Sequence, residues 1–121
     1  MRESNVNGTW GESVAAAYLQ KKHYTVLACN FRSRFGEIDL IVANRSFLVF
    51  VEVKSRKNAN FAKAMEYVDH FKQEKLRKTA ELYLSENPTK LQPRFDVVEI
   101  YAPQGVETVN PEIFHLEDAF Q

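Results

Sequence analysis

Two apolar runs separated by three polar residues constrain this chain more than any other feature. Ile38–Ala43 (IDLIVA) and Phe47–Lys54 (FLVFVEVK) are β-branched and aromatic, and Asn44-Arg45-Ser46 between them leaves room only for a tight connection. Such a pair is expected to be a β-hairpin. Strands this apolar are normally buried on both faces. Yet Asp39 sits inside the first run, and the second ends in Glu52 and Lys54. A buried charge is costly unless something compensates it, so these three residues need an explanation.

Strand alternation supplies part of it. Leu48, Phe50, Glu52 and Lys54 share one face of the second strand, and Phe47, Val49, Val51 and Val53 share the other. If Asn44 pairs with Phe47, Asp39 falls directly opposite Glu52 on the same face, with Cβ atoms ~5 Å apart. A slip of one residue sends Asp39 to the other side. Arg45-Ser46 is not favoured turn chemistry, although Asn44 tolerates left-handed geometry; a longer loop from Asn44 to Phe47 keeps the same parity.

Two carboxylates converging on a buried face repel each other and require a cation. Two readings follow. Lys54 can be that cation, which gives a structural ion cluster. Alternatively, a magnesium or manganese ion is held by the carboxylates and completes its shell with water and phosphate oxygens. Lys54 is then free to orient or deprotonate an attacking water, or to offset charge growing on a phosphorane. Water as nucleophile removes any need for a catalytic Ser or Cys.

The remaining elements follow from local signals. Residues 1–8 are expected to be a flexible tail, and Thr9 to Glu12 fits a helix capping box. The helix should reach about Lys22, with Trp10, Val14, Ala17, Tyr18 and Lys21 on one face. Tyr24–Cys29 reads as a strand, and Arg32–Gly36 as a connector carrying two cations. Residues 56–60 read as a polar loop. Residues 61–86 read as helical, broken near Val68-Asp69-His70 and stopped by Asn87-Pro88, with Phe71, Lys75, Leu76, Thr79, Ala80 and Tyr83 on one face. Arg94–Tyr101 is a last strand, Pro103-Gln104-Gly105 a turn, and residues 103–121 an acidic C-terminal tail. The order α-β-β-β-α-β predicts a single α/β domain over residues 1–121, with a mixed central sheet flanked by helices.

Asp39 followed across a hairpin by Glu52-Val53-Lys54 resembles the PD-(D/E)xK nuclease superfamily, which includes restriction endonucleases and archaeal Holliday junction resolvases. The likeness is closer still to one small bacterial family within it, the YraN-like proteins, which are mostly uncharacterised or assigned as endonucleases. The resembling stretches are Gly11-Glu12 with Ala16–Leu19, Asn30–Arg32, Gly36–Ile41, Val49–Arg56, Arg94–Val98 and Ala119-Phe120, so the likeness spans nearly the whole chain. It implies a restriction-endonuclease-like sheet, Asp39 and Glu52 as metal ligands, Lys54 as the catalytic lysine, and a Glu12 that reaches the same centre. Asn60-Phe61-Ala62 departs from the family pattern, which has glycine after the phenylalanine.

Further candidates lie around this centre. Lys72, Gln73, Lys75, Arg77 and Lys78 open the long helix, and helix N-termini favour phosphate. Lys72 and Gln73 are therefore expected near a scissile phosphate. The plainer reading is a solvated face with Glu74 and Lys78 paired at i, i+4. Arg32, Arg34 and Arg56 flank the centre as phosphate contacts. Glu37 is either a second acid beside Asp39 or a solvated strand end. Asp96 is expected to pair with Arg94 or a lysine in support of the sheet. His23, His70 and His115 have no zinc-site spacing.

Charge and composition narrow the function classes. Formal net charge is zero, but residues 1–95 hold all 16 Lys and Arg against 10 acids, and residues 96–121 hold 6 acids and no Lys or Arg. This asymmetry permits a local phosphate-binding face, or else the two parts neutralise each other where they pack. Nothing approaches the length of a membrane helix. One cysteine, Cys29, excludes an internal disulfide and fits a reducing cytoplasm. The expected function is metal-dependent hydrolysis of DNA phosphodiesters, on a substrate such as branched DNA, by a protein that acts as a homodimer or with a protein partner. Two alternatives remain: a module that binds nucleic acid without cutting it, and a structural or partner-binding protein with only an ion cluster at Asp39, Glu52 and Lys54.

Overall fold

The computed structural model describes residues 3–57 and 69–121, with side chains from residue 9 onward. Elements follow in the order α1 (Glu3–Lys21), β1 (Thr25–Arg32), β2 (Glu37–Ala43), β3 (Phe47–Arg56), α2 (His70–Glu86), β4 (Gln92–Tyr101) and β5 (Glu112–Phe120), with a short 3-10 turn at Gly105–Glu107. The strands form one sheet in the order β1-β2-β3-β4-β5. All neighbours are antiparallel except β3 and β4, which run parallel. Parallel neighbours need a crossover, and α2 lies on the chain that makes it. This is the mixed, nuclease-like α/β architecture expected, with one strand more.

Each helix covers one face of the sheet. Ala15 and Leu19 of α1 pack with Leu40, Val42, Val49, Val51, Val98 and Ile100. Leu76, Ala80 and Tyr83 of α2 pack with Ile41, Leu48, Phe50, Val97 and Phe120. Covered on both sides, the central strands can be apolar almost throughout, which is why their sequences read as continuous runs.

The N-terminal expectation needs correction. Helix α1 begins at Glu3, so Thr9 lies within it and is no cap, and the helix extends over most of the expected tail. Its buried face is Gly11, Ala15 and Leu19, while Ala17 is exposed. Gly11 is there because α1 approaches β3 closely: a Cβ at this position would lie 2.6 Å from Ser55 Oγ.

The expected C-terminal tail is strand β5, paired with β4 from Tyr101↔Glu112 to Phe95↔Phe120. Its alternation is interrupted by a left-handed Asp118, φ 52°, and by a register shift between Phe95 and Val97, so no clean period of two marks it. Acids of residues 96–121 meet cations of residues 1–95. Asp96 is clasped by Arg94, with Nε to Oδ1 and Nη2 to Oδ2 both at 2.9 Å. It also contacts His115 Nε2 at 2.7 Å and accepts from Asp118 N–H at 3.0 Å. Glu117 lies 3.9 Å from Lys22, and the buried Glu99 lies 3.7 Å from Arg56.

Helix α2 starts where the sequence placed a break. Asp69 is its N-cap and accepts from Lys72 N–H at 2.8 Å. Of the expected apolar face, Leu76, Thr79, Ala80 and Tyr83 are buried. Phe71 is 71% exposed and Lys75 is exposed, so these two lie off the core. The first piece of the expected helical region, 61–68, lies outside the described residues, as do 58–60 of the expected loop and Asn60-Phe61-Ala62. Among the described residues, no helix is long and apolar enough to cross a membrane.

Candidate metal centre

The site forms where the β2–β3 ladder stops. Rungs run from Ala43↔Leu48 to Leu40↔Val51, and Asn44 N–H donates to Phe47 O at 3.0 Å to close a two-residue turn. Asn44 Oδ1 also accepts from Ser46 and Phe47 N–H, at 2.9 and 2.8 Å. This Asx turn holds the register despite the poor turn chemistry of Arg45-Ser46. Alternation from Asn44 and Phe47 makes Ile38 and Val53 the next hydrogen-bonding pair beyond Leu40 and Val51. Instead, Val53 N–H donates to Asp39 Oδ2 at 2.8 Å. The carboxylate replaces a backbone carbonyl, and β2 diverges from β3. Ile38 accordingly joins the α2-side core while Leu40 stays on the α1 side, contrary to strict alternation.

In this register Asp39 faces Glu52, and their carboxyl groups are within hydrogen-bonding reach. Burial, then the Glu52 charge, push the Asp39 carboxyl up to about 8, against the opposing pull of the Val53 N–H. Glu52 is buried and carries two ammonium groups on one oxygen. Lys72 Nζ forms an ion pair with Glu52 Oε2, and Lys54 Nζ lies 3.9 Å from the same atom. Burial, and the neighbouring Lys72 ammonium after it, lower the Lys54 pKa.

Helix α1 and strand β1 close the other side. Asn30 stands opposite Asp39, between the rungs Cys29↔Leu40 and Phe31↔Ile38. Its backbone is left-handed, φ 53°, a conformation asparagine tolerates better than most residues. Its Nδ2 donates to Glu12 Oε1 at 2.9 Å. Burial raises the Glu12 pKa; Asn30 opposes this, while the charges of Glu37 and Glu52 add to it. One carboxylate oxygen each from Glu12, Glu37 and Asp39 lies within 4.8 Å of the others.

These residues fit a hard divalent cation. The donors are all oxygen, as magnesium and manganese prefer. Burial, and the facing Glu52 after it, raise the Asp39 carboxyl, and a bound cation would offset both.

Asp39, Glu52, Lys54, Glu12 and Lys72 thus come together, and the three acids that cluster are Glu12, Glu37 and Asp39, with Glu52 engaged by lysines. The other candidates have these partners. Gln73 Oε1 accepts from Arg77 Nη2 at 3.1 Å. Arg32 Nε pairs with Glu37 Oε2 at 2.9 Å, with its side chain 77% exposed. Arg34 stacks on Phe35, 5.0 Å from the ring centroid, and Arg56 faces Glu99. Asn30 was read only as part of the resembling stretch Asn30–Arg32 and not as a site residue; its local mark is that asparagine is able to take positive φ. Glu37 was visible two residues before Asp39, but its partners were not.

Fold and site together define a nuclease-like mixed α/β domain with an acidic cluster able to hold a metal. The profile of the Uncharacterised protein family UPF0102 matches residues 11–100, and the chain belongs to this family. It is 46% identical over 111 residues to a UPF0102 protein of Caldanaerobacter subterraneus subsp. tengcongensis, covering 91% of this chain and 85% of that protein. It is 39% identical over 115 residues to a UPF0102 protein of Clostridium beijerinckii (94% and 92% covered), and 40% identical over 116 residues to one of Persephonella marina (95% and 93% covered).

Proposed function

We propose that this protein is a metal-dependent nuclease that hydrolyses phosphodiester bonds of cytoplasmic DNA. One observation carries the reading: Asp39, Glu52 and Lys54, the only charges in two otherwise apolar central runs, converge with Glu12 and Glu37 at the point where β2 leaves β3. A concentration of half-buried acids around the buried Glu52 is difficult to justify by stability alone.

In this reading Glu12, Glu37 and Asp39 hold a magnesium or manganese ion, assisted by Glu52. Such an ion, when bound, supplies Lewis acidity and a more acidic water. Lys54 orients the attacking water and offsets negative charge growing on the phosphate oxygens. Lys72, in the first turn of α2, holds the phosphate with help from the helix N-terminus. Asn30 positions Glu12, and the Val53 N–H positions Asp39.

The test is a cleavage panel of branched, single-stranded and duplex DNA with manganese, run on wild type and Asp39→Ala. Metal-dependent cutting by wild type alone supports the proposal; a wild type that cuts nothing in the panel removes it. The Lys72–Glu52 ion pair favours a second reading, a structural ion cluster. Magnesium titration followed by NMR separates the two, because a cluster without metal affinity gives no local shifts at Asp39 and Glu12.

A further inference from the structure

Beside the acidic centre lies a groove of about 660 Å³ lined by Arg34, Phe35, His70, Phe71, Lys75 and Lys78, with Glu74. Phe71 occupies a position that helical periodicity assigned to the core, yet it is 71% exposed. Single exposed apolar residues are ordinary. Here two phenylalanines are interleaved with cations. Lys75 Nζ lies 4.7 Å from the Phe71 centroid. Phe35 has Arg34 at 5.0 Å and Lys78 at 5.5 Å from its centroid. Glu74, the one acid among the described lining residues, is already paired with Arg77 at 2.9 Å.

The platform is held rigidly. Ser33 Oγ accepts from the N–H groups of Phe35 and Gly36, at 3.0 and 3.3 Å, and contacts Thr79 Oγ1 of α2 at 2.9 Å. Gly36 lies against α2, where a Cβ would be in ordinary contact with Lys75 Cβ at 3.5 Å. The groove also adjoins the centre along the chain. Phe71 precedes Lys72, which sits on Glu52, and Phe35 is two residues from Glu37, a Cα separation of at most ~7 Å. That is about two stacked nucleotides at ~3.4 Å each.

We propose that this groove binds unpaired nucleotides, with Phe71 and Phe35 stacking on bases and Arg34, Lys75 and Lys78 neutralising the adjoining phosphates. The proposal rests on the nuclease reading for its biological sense: it names single-stranded or frayed nucleic acid as the substrate class. Aromatic faces accept any base, and flanking cations follow the backbone, whereas paired bases in a duplex offer no free face.

The experiment measures fluorescence anisotropy of labelled single-stranded oligo(dT) and of a blunt duplex, at low salt with EDTA, so that binding is read without cleavage. Single-stranded binding should exceed duplex binding. Phe71→Ala should weaken oligo(dT) binding by about 5- to 100-fold and leave duplex binding unchanged, while Phe71→Trp should restore the affinity for oligo(dT). No oligo(dT) binding by wild type, equal affinity of Phe71→Ala and wild type for it, or parallel loss of single-strand and duplex binding would each overturn the proposal. The exposure of Phe71 keeps its variants folded. Phe71-dependent binding without cleavage in the panel would remove the catalytic reading and spare this one; cleavage with Phe71-independent binding would do the reverse.

Discussion

Asp39 and Glu52 face each other across the end of the β2–β3 ladder, and Asp39 Oδ2 takes the Val53 N–H that a continuing strand would have used. One carboxylate therefore ends the strand pairing and supplies half of an acidic pair. The local fold is arranged around charge repulsion, and the consequences can be measured.

Removing one member of the pair should separate stability from metal binding. Burial and Glu52 raise the Asp39 pKa to about 8, so a neutral side chain suits the metal-free fold. Asp39→Asn should melt within a few degrees of wild type in EDTA. Wild type should gain ~2.7 kcal/mol when manganese reaches about a hundred times its Kd, and the variant should gain almost nothing. Thermal melts with and without manganese check this.

The two lysines on Glu52 should differ in their effects. Lys54→Ala should lower cleavage by about 10²–10³-fold, the loss typical of a donor aimed at developing charge, with manganese affinity near wild type. Lys72→Ala removes the ammonium paired with Glu52 Oε2, so manganese should bind several-fold more tightly while cleavage falls. Calorimetric metal titration, paired with cleavage rates, distinguishes them.

Asp96 should be a stability residue. Burial pushes its pKa up, but hydrogen bonds from His115, Arg94 and the Asp118 N–H outweigh this and hold it below its ordinary 3.8. A carboxyl depressed in the folded state contributes stability above its unfolded pKa and loses it as pH falls through the folded value. Asp96→Ala also leaves Arg94, with a side chain only 10% exposed, without its partner. The variant should lose about 3–5 kcal/mol near neutrality, and the gap from wild type should narrow below about pH 4. Urea unfolding across pH tests both points.

Gly11 and Ser55 should be coupled. Gly11→Ala alone brings a Cβ to 2.6 Å from Ser55 Oγ unless the hydroxyl turns away. With Ser55→Ala added, the contact is relieved and alanine's helix preference of ~1 kcal/mol over glycine remains. The double variant should therefore be more stable than the sum of the singles predicts, by about 0.5–3 kcal/mol. A strictly additive cycle would show that α1 does not press on β3 here.

Several features were legible because they are local. The two apolar runs, their parity, and the facing of Asp39 and Glu52 follow from a period of two and a short turn. The break near Val68-Asp69-His70 was visible as well, and Asp69 caps α2 there. Strand β5 was read as a tail because Asp118 at positive φ and a register shift break its alternation, and its pairing depends on β4 rather than on its own pattern. The Thr9–Glu12 motif suggested a cap, but the sequence alone did not weigh it against a helix continuing back to Glu3. Phe71 matched the helical face, yet the face that is buried is decided by what packs on it.

The sequence by itself determined the β2–β3 hairpin and the charges that it carries inward, since alternation and turn length are properties of neighbours along the chain. Only the tertiary structure decided that Glu12 and Asn30 close the site from α1 and β1, that Lys72 sits on Glu52, and that Glu37 joins the acids. Those contacts depend on how each helix is rotated and seated on the sheet, and that is fixed by close packing between residues distant in sequence.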